Sequence, residues 1–450
     1  MTNQPSAAPD AKTVTTQIAT LDFARVEWRF LLFGMAMAFC SSLGQTYFIS
    51  LFSAEIRSEL ALSHAAFGTY YAIATTASAV TLIWLGKLAD SMRVERLALF
   101  VIGCLCVSAF LFSQVFSAIT LVMGLYLLRL FGQGMTTHTY TTAIARRYVI
   151  ARGRALSISQ LGINVAESIG PVAIVALLVT FSWRSLWMVL PLIPLLLLIP
   201  FLRILTQRTK CQDGGGLEGL MAAARADGQP DPTDDIVTIS GIDHWRRRAV
   251  LRDRRFWFGL VGLTTVPGFS VTGIMFHQIH IADLVGVSLS DWAANYVIYA
   301  VAAVIGALVA GQLVDRFTGR RVAAWLLMPL ALACLSLWTG TGAHTGNWGV
   351  MAFFLFFGLT AGMPHTAITA AMAELYGTRY LGEIKAIFLP LGVFSSALSP
   401  MVMGVMIDKG YGLPALMGLN ILLASLAMIG ASCMLTAAPS VSSHSKRTVK

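Results

Sequence analysis

Long apolar runs separated by short polar segments fill most of this chain. A helix needs about 20 apolar residues to cross the hydrocarbon core of a membrane. The runs of that length begin near Trp28, Ala66, Arg96, Ala118, Gly153 and Trp183, and then near Phe256, Ser290, Arg321, Trp348, Leu381 and Leu413. The pattern therefore predicts an all-α integral membrane protein with twelve transmembrane helices, numbered here as spans 1 to 12.

Polar stretches divide the chain into five predicted parts. They are an N-terminal tail (1–24), a six-helix bundle (25–206), a central loop (207–255), a second six-helix bundle (256–437) and a C-terminal tail (438–450). The central loop contains GGGLEG and ADGQPDPTDD, which are typical of a flexible linker. The first residues lack a basic segment followed by an apolar core, so we expect a cytoplasmic tail and not a cleaved signal peptide.

The basic residues predict how the spans are oriented. With both termini in the cytoplasm, the loops on that side hold Lys87, Arg93, Arg96, Arg146, Arg147, Arg152, Arg154, Arg246, Arg247, Arg248, Arg252, Arg254, Arg255, Arg316, Arg320, Arg321, Arg379 and Lys385. The loops on the other side hold Arg57, Arg184 and Lys409. Because cytoplasmic loops of membrane proteins are rich in Lys and Arg, we expect a multi-pass protein of the cell (inner) membrane with both ends in the cytoplasm.

Composition supports a membrane protein and excludes several function classes. The chain is 56% hydrophobic and 12% charged, whereas soluble domains carry about 25% charged residues. The net charge of +10 lies beside the apolar runs, which favours membrane orientation over binding of nucleic acid. The sequence shows no phosphate-binding loop, nucleophile elbow or metal-ligand spacing. We therefore predict a protein that is not an enzyme and has no cofactor or metal.

The basic segment HWRRRAVLRDRRFW, residues 244–257, has two interpretations. It forms either an amphipathic helix on the inner leaflet or an ordinary solvated loop.

Related segments recur in the two halves of the chain. GKLADSMRVER (86–96) follows span 2, and GQLVDRFTGRR (311–321) follows span 8. GMTTHTYTTAIARRY (134–148) in span 4 and GMPHTAITAAMAELY (362–376) in span 10 place His138 and His365 at equivalent positions. Two related six-helix halves are typical of transporters whose binding site lies at the membrane midplane between the halves.

These segments resemble the major facilitator superfamily over nearly the whole chain. The family's loop signature is matched by Gly86, Asp90 and Arg93, and again by Gly311, Asp315, Arg316 and Arg320. The resemblance implies two pseudo-symmetric bundles that rock around a central cavity. It also implies a gating role for these residues, which would hold the cytoplasmic helix ends together in the outward-open state. The alternative is that the charges only set the topology.

A looser likeness concerns the branch of the family. RGRALSISQLG (152–162), which opens span 5, looks like the oxalate/formate and monocarboxylate transporters. The Arg of span 8 that usually holds the carboxylate in that branch is absent, and Lys385 lies only near the start of span 11. Gly170-Pro171 fits the antiporter pattern of span 5, but Ile174 and Val175 replace its paired glycines. The branch therefore does not identify the substrate.

Two ionisable residues are predicted inside the membrane. Arg129 lies roughly 16 Å from the outer end of span 4, and Glu167 roughly 21 Å from the outer end of span 5. Such groups cost several kcal/mol unless they are paired or hydrated. Consecutive antiparallel helices are usually neighbours, so we expect the two to meet as a buried pair. Either Arg129 anchors an anion while Glu167 takes up a proton, or the pair is purely structural.

Other polar residues of the spans are candidates for the substrate site. They are His138, His365, Gln45, Tyr47, Gln133, Asn164, Asn295 and Tyr296. For each, packing or hydrogen bonding between helices is the alternative. His277, Gln278 and His280, at the outer end of span 7, are expected to line an outer vestibule or to bond to loops.

The sequence thus predicts a secondary active transporter. It would move a small organic anion, most simply a carboxylate, by proton coupling or exchange. One alternative is a proton-coupled exporter of drugs or metabolites, in which Glu167 serves the substrate and Arg129 hinders it. Another is a transporter-like membrane sensor that binds a ligand without moving it. The expected partners are the small-molecule substrate, protons and the lipid bilayer, with the protein acting as a monomer.

Overall fold

All twelve predicted spans are present in the computed structural model, which describes residues 20–148, 152–206, 236–239, 242–340 and 348–436. The spans are Phe23–Gly44, His64–Leu85, Val94–Ser113, Ala118–Arg147, Gly153–Leu178, Trp183–Thr206, Arg255–Phe276, Leu289–Phe317, Gly319–Thr339, Trp348–Tyr376, Leu381–Asp408 and Leu413–Thr436. The all-α membrane fold is confirmed. Span 1 begins at Phe23, earlier than the predicted start near Trp28.

Several spans consist of more than one helical segment. Span 1 contains Thr20–Cys40 and Ser41–Gly44; span 4 contains Ala118–Leu127, the π-helix Leu128–Thr136 and Thr137–Arg147; span 7 contains the π-helix Arg255–Val261 and Gly262–Phe276; span 8 contains Leu289–Ala294 and Tyr296–Phe317; span 9 contains Gly319–Ala324 and Met328–Thr339; span 10 contains Trp348–Gly362 and Pro364–Tyr376. Span 6 contains Trp183–Val189, Leu192–Leu197, Ile199–Phe201 and Leu202–Thr206, and span 12 contains Leu413–Ala431 and the π-helix Ser432–Thr436.

Short elements connect the spans. They are the helical turns Thr46–Ile49, Ser50–Phe52, Ser53–Glu59 and Leu88–Ser91, and the helices Arg247–Arg252 and Gln278–Val285. Strands Ile236–Ile239 and Ile242–Trp245 pair antiparallel, with Ile236 opposite Trp245.

The basic central segment forms neither of the two predicted structures. A strand ends at Trp245, and the helix Arg247–Arg252 is only six residues long. The Trp245 ring lies 5.6 Å from the ring of Tyr376 at the end of span 10, and the Arg255 guanidinium lies over both rings. The segment therefore docks on the end of span 10. Residues 1–19 of the predicted N-terminal tail, the C-terminal tail and the GGGLEG linker lie outside the described residues, and residues 20–24 already belong to the first helix.

The two ends of the spans differ in how the halves meet. We call the end that carries residues 86–96 and 311–321 the signature face, and the opposite end the far face. Spans 1–6 form the first half and spans 7–12 form the second half. Span 2 packs along span 11, and span 5 along span 8. Within the described part of the chain, every hydrogen bond between the halves lies at or near the far face. The far face is therefore closed.

Small residues set how closely the spans approach. Spans 8 and 10 touch where Gly358 faces Tyr299 and Gly362 faces Ala303. A Cβ at Gly362 would lie 2.9 Å from Ala307 N and would overlap the carbonyl oxygen of Ala303. Because lipid tails are as apolar as the helices, close packing of this kind is a main source of helix association in a membrane.

We expect Gly362→Ala to lower the melting temperature of the purified protein. The added methyl group has no room, and overpacking costs about 1–3 kcal/mol. The matched control is Gly382→Ala on span 11, where a Cβ meets nothing within 4 Å. Thermal unfolding in detergent compares the two variants, and equal melting temperatures would contradict the packing argument.

Candidate functional site

The last turn of span 1 is irregular and packs against span 4. After Cys40 the chain makes a 3₁₀ turn over Ser41–Gly44, and Gln45 is extended (φ −82°, ψ 150°). Irregular backbone at membrane depth is tolerated where it is buried in protein or lines a cavity. Here the break lies against span 4, because a Cβ on Gly132 would be 2.6 Å from the Cα of Gly44. Two residues without side chains thus let the broken helix touch span 4.

Arg129 binds this break. It lies in the π-helix of span 4, and it is 5% exposed. Its Nη1 donates to the Gly44 carbonyl oxygen at 3.1 Å and to Thr46 Oγ1 at 3.4 Å. The guanidinium lies 5.2 Å from the centre of the Tyr71 ring, and Tyr71 Oη is 2.5 Å from Thr46 Oγ1. Neither Thr46 nor Tyr71 was predicted as a site residue.

No carboxylate among the described residues neutralises the charge of Arg129, because none lies within salt-bridge distance of it. Its Nε is buried and has no hydrogen-bond partner, and Nη2 makes no described hydrogen bond. At ~1.5 Å per residue, Arg129 lies roughly 16 Å from the start of span 4. An unpaired cation at this depth is unfavourable, so an anion bound there would be stabilised.

Glu167 does not pair with Arg129, so the predicted ion pair is wrong. The Glu167 side chain is partly buried and forms no hydrogen bond or ion pair with any described residue. Its charge acts on Tyr47, which follows span 1, and on Tyr296 and Tyr299 of span 8. The helix break supplies Arg129 with a carbonyl partner on span 1, whereas Glu167 on span 5 faces the second half.

Gln278 closes the site on the side of the far face. This fully buried side chain donates from Nε2 to the Tyr47 carbonyl oxygen at 2.9 Å and to Ser50 Oγ at 2.7 Å. Its Oε1 accepts from Tyr296 Oη at 2.7 Å and from Trp292 Nε1 at 3.2 Å. The sequence predicted a vestibule or loop contact for Gln278. Its partners Tyr47 and Ser50 lie in the connection between spans 1 and 2, so the predicted loop contact is present, and Gln278 joins this connection to Trp292 and Tyr296 of span 8.

Two predicted site residues have partners away from Arg129. His138 Nε2 is 3.1 Å from the Gly86 carbonyl oxygen, so this histidine supports the first loop signature. Asn295 Nδ2 donates to the Asp291 carbonyl oxygen of its own turn at 2.7 Å, near the far face. Short polar side chains often bond to the preceding helical turn in this way.

The other predicted residues keep free side chains. Gln45, Gln133 and Asn164 are partly buried, and their side chains make no hydrogen bond within the described part of the protein. His365 is exposed on span 10, within electrostatic range of Lys385 on span 11. These four residues remain available to line a cavity between the halves.

The second loop signature is open in this conformation. Asp315 and Arg316 are exposed, and their side chains form no hydrogen bond or ion pair among the described residues. Arg320 and the neighbouring Gly319 donate their backbone N–H groups to the Glu374 carboxylate of span 10. The Cβ position of Gly311 meets nothing within 4 Å.

The first loop signature is more enclosed. Gly86 is buried beside His138, and Arg146 donates to the Ala89 carbonyl oxygen. Arg93 is exposed, and the side chain of Asp90 lies outside what the structure describes. Between described residues, no hydrogen bond or ion pair joins the two halves at the signature face. A closed far face and a signature face without described hydrogen bonds between the halves therefore occur together.

Comparison with known proteins agrees with this architecture. A family model described as Major Facilitator Superfamily matches residues 34–400. A bacterial homolog of the human lysosomal transporter Spinster, in an inward-facing and occupied conformation, is similar in fold, with 16% sequence identity, a TM-score of 0.61, and coverage of 92% of this chain and 94% of that chain. The nucleoside transporter NupG has 10% identity, a TM-score of 0.66, and coverage of 91% and 98%. No curated protein is significantly similar in sequence.

We expect Gln278→Leu to destabilise the protein by roughly 2 kcal/mol or more. The substitution leaves the Trp292 indole N–H and the Tyr47 carbonyl buried without this partner, at about 1–3 kcal/mol for each such group. Gln312→Leu is the matched control, because Gln312 is exposed and its side chain makes no described hydrogen bond. Melting temperatures measured in detergent separate the two, and a drop no larger than that of Gln312→Leu would refute the role of the network.

Proposed function

The chain belongs to the Major Facilitator Superfamily of membrane transporters, and we propose that its cargo is a small organic anion, a carboxylate, that binds to Arg129. The support is the buried guanidinium whose Nε and Nη2 have no described partner. These two atoms form one edge of the guanidinium, and a carboxylate binds such an edge through two parallel hydrogen bonds. Nη1, held by Gly44 and Thr46, fixes the orientation of that edge.

Glu167 serves as the proton carrier of this proposal. It lies on the first half and faces Tyr296 and Tyr299 of the second half, so movement of the halves changes its surroundings. Enclosing an unpaired carboxylate between closing helices is costly, and a bound proton removes that cost. Because Arg129 and Glu167 do not touch, coupling between anion and proton runs through the movement of the halves.

The loop signatures act as the gate on the opposite side from Gln278. Asp315 and Arg316 make no hydrogen bond or ion pair with described residues while the far face is closed. Pairing of Gly86, Asp90 and Arg93 with neighbouring helices, and of the second signature likewise, would hold the signature face together in the other conformation. With both termini in the cytoplasm of an inner-membrane monomer, the present state is the inward-facing one.

An exporter of cationic compounds is the second candidate. Glu167 forms no hydrogen bond or ion pair with a described residue, and its charge acts on Tyr47, Tyr296 and Tyr299. A carboxylate together with aromatic rings is suited to binding a desolvated cation. In that case Arg129 is structural and supports the break of span 1. A ligand panel that contains both charge types distinguishes the two functions.

We expect carboxylates to raise the melting temperature of the wild-type protein but not of Arg129→Ala. A ligand that binds the native state stabilises it by about 2.7 kcal/mol at a hundredfold excess over its dissociation constant. Arg248→Ala is the control, because it removes one exposed positive charge far from the break of span 1. Stabilisation by cationic compounds alone, unchanged in Arg129→Ala, would instead establish the exporter. Counterflow in liposomes then tests transport, and binding without exchange would indicate a sensor.

We expect Glu167→Gln to abolish accumulation driven by a pH gradient while it preserves counterflow exchange. Gln has the shape of the protonated carboxyl group but cannot release a proton. Uptake of the carboxylate identified by the melting panel is measured in proteoliposomes with and without a pH difference. Undiminished pH-driven uptake in Glu167→Gln would exclude Glu167 as the proton carrier.

A further inference from the structure

Three histidines from both halves meet at the far face. His64 begins span 2 in the first half, whereas His277 and His280 follow span 7 in the second. The ring centre of His64 lies 5.6 Å from that of His277 and 4.9 Å from that of His280. The contact exists only while the halves are together at this end.

The histidines lie at the seam that closes the far face. The Asp408 carboxylate at the end of span 11 accepts hydrogen bonds from the backbone N–H of His64 at 3.0 Å and of Ala65 at 2.8 Å. This carboxylate therefore caps span 2 across the boundary between the halves. Nearby, the rings of Phe67 and Phe276 stack at 5.0 Å. Opening the far face must break these contacts and bring water to the imidazoles.

The charges around the cluster disfavour protonated histidine in the closed state. Arg57, on the helix Ser53–Glu59, acts on all three histidines. Asp408 opposes it at His64 and His280, and Asp283 opposes it at His280. If all three histidines were protonated, they and Arg57 would carry four positive charges, whereas Asp408 and Asp283 carry two negative charges. This excess of positive charge would lie in a partly buried contact between the halves.

His277 is the most enclosed member of the cluster. It is 3% exposed, and its Nε2 is 2.9 Å from the Pro400 carbonyl oxygen, to which it must donate. Burial, with smaller contributions from His64, His280 and Arg57, lowers the pKa of His277 to about 3, against the effect of the Pro400 carbonyl. Burial also lowers the pKa of His280. A hydrated histidine has a pKa of about 6.5, so opening restores proton affinity.

We propose that His64, His277 and His280 form a second proton-binding site, separate from Glu167, and that proton binding from the far side opens the far face. A lowered pKa in the closed state means that closure is favoured above pH 6.5, the value of the hydrated imidazole, and is weakened as the pH falls towards about 3. This proposal does not depend on which cargo is transported, because it requires only that the far face opens and closes.

The test measures the distance across the far face as the pH changes. Spin labels are attached at Ser58→Cys in the first half and Ser290→Cys in the second, both exposed, in a chain whose six cysteines are replaced by alanine. Electron–electron distance measurements are made at pH 7.5 and pH 5.0 without substrate. For His277 alone, the ratio of open to closed molecules should rise about 30-fold between these pH values.

Variants assign this response to the cluster. His64→Gln/His277→Gln/His280→Gln should lose the pH response, and His280→Gln alone, which removes a half-buried ring, should weaken it. The matched control His244→Gln, at the signature face, should keep the full response. A wild-type response in the triple variant, no response in the wild-type protein, or loss of the response in His244→Gln would each overturn the proposal.

These outcomes are distinct from those of the anion hypothesis. The labelled protein is measured without substrate, so failure of Arg129 to bind carboxylates leaves the far-face result unchanged. Should the triple variant be too unstable to purify, His280→Gln decides the matter, since an unaltered response there contradicts the cluster.

Discussion

A guanidinium without a counter-charge inside the membrane is the constraint on which the candidate site depends. Arg129 is tolerated because span 1 breaks beside it and presents the Gly44 carbonyl, and because Tyr71 and Thr46 add weaker contacts. The break in turn requires Gly44 and Gly132 to touch, since a side chain at either would separate spans 1 and 4. The irregular turns of spans 1 and 4 thus hold the Arg129 guanidinium in place. In the proposed function, the Nε–Nη2 edge of this guanidinium binds the ligand.

The hydrogen bonds made by polar side chains also differ between the two faces, and this difference characterises the conformation of the protein. At the far face, Gln278 and Asp408 have their hydrogen bonds complete, and all of them cross or support the boundary between the halves. At the signature face, Asp315 and Arg316 make no hydrogen bond or ion pair with described residues. A transporter that alternates between two states needs each gate to be stable in one state only, and the unequal satisfaction of the two faces fits that requirement.

The likeness to solved transporters extends to the fold and not to the cargo. Identities of 10–16% preserve helix packing, because packing needs small and apolar residues at suitable positions and not particular side chains. Substrate recognition instead depends on single polar residues, and these are specific to the chain. The carboxylate hypothesis therefore comes from Arg129 and its surroundings, and the proposed proton sites come from Glu167 and the histidine cluster.

The sequence by itself determined the twelve spans and the fold class, because the length and apolarity of each span are local properties. It also located Arg129 and Glu167 at depth, since depth follows from position along a helix. Only the tertiary structure decided which polar groups meet. Helix breaks and π-helices rotate side chains in ways that a regular 3.6-residue period does not contain, so the expected Arg129–Glu167 pair is absent. His64 and His277, or Gln278 and Ser50, are far apart in the chain, and their contacts arise only when the two halves close on each other.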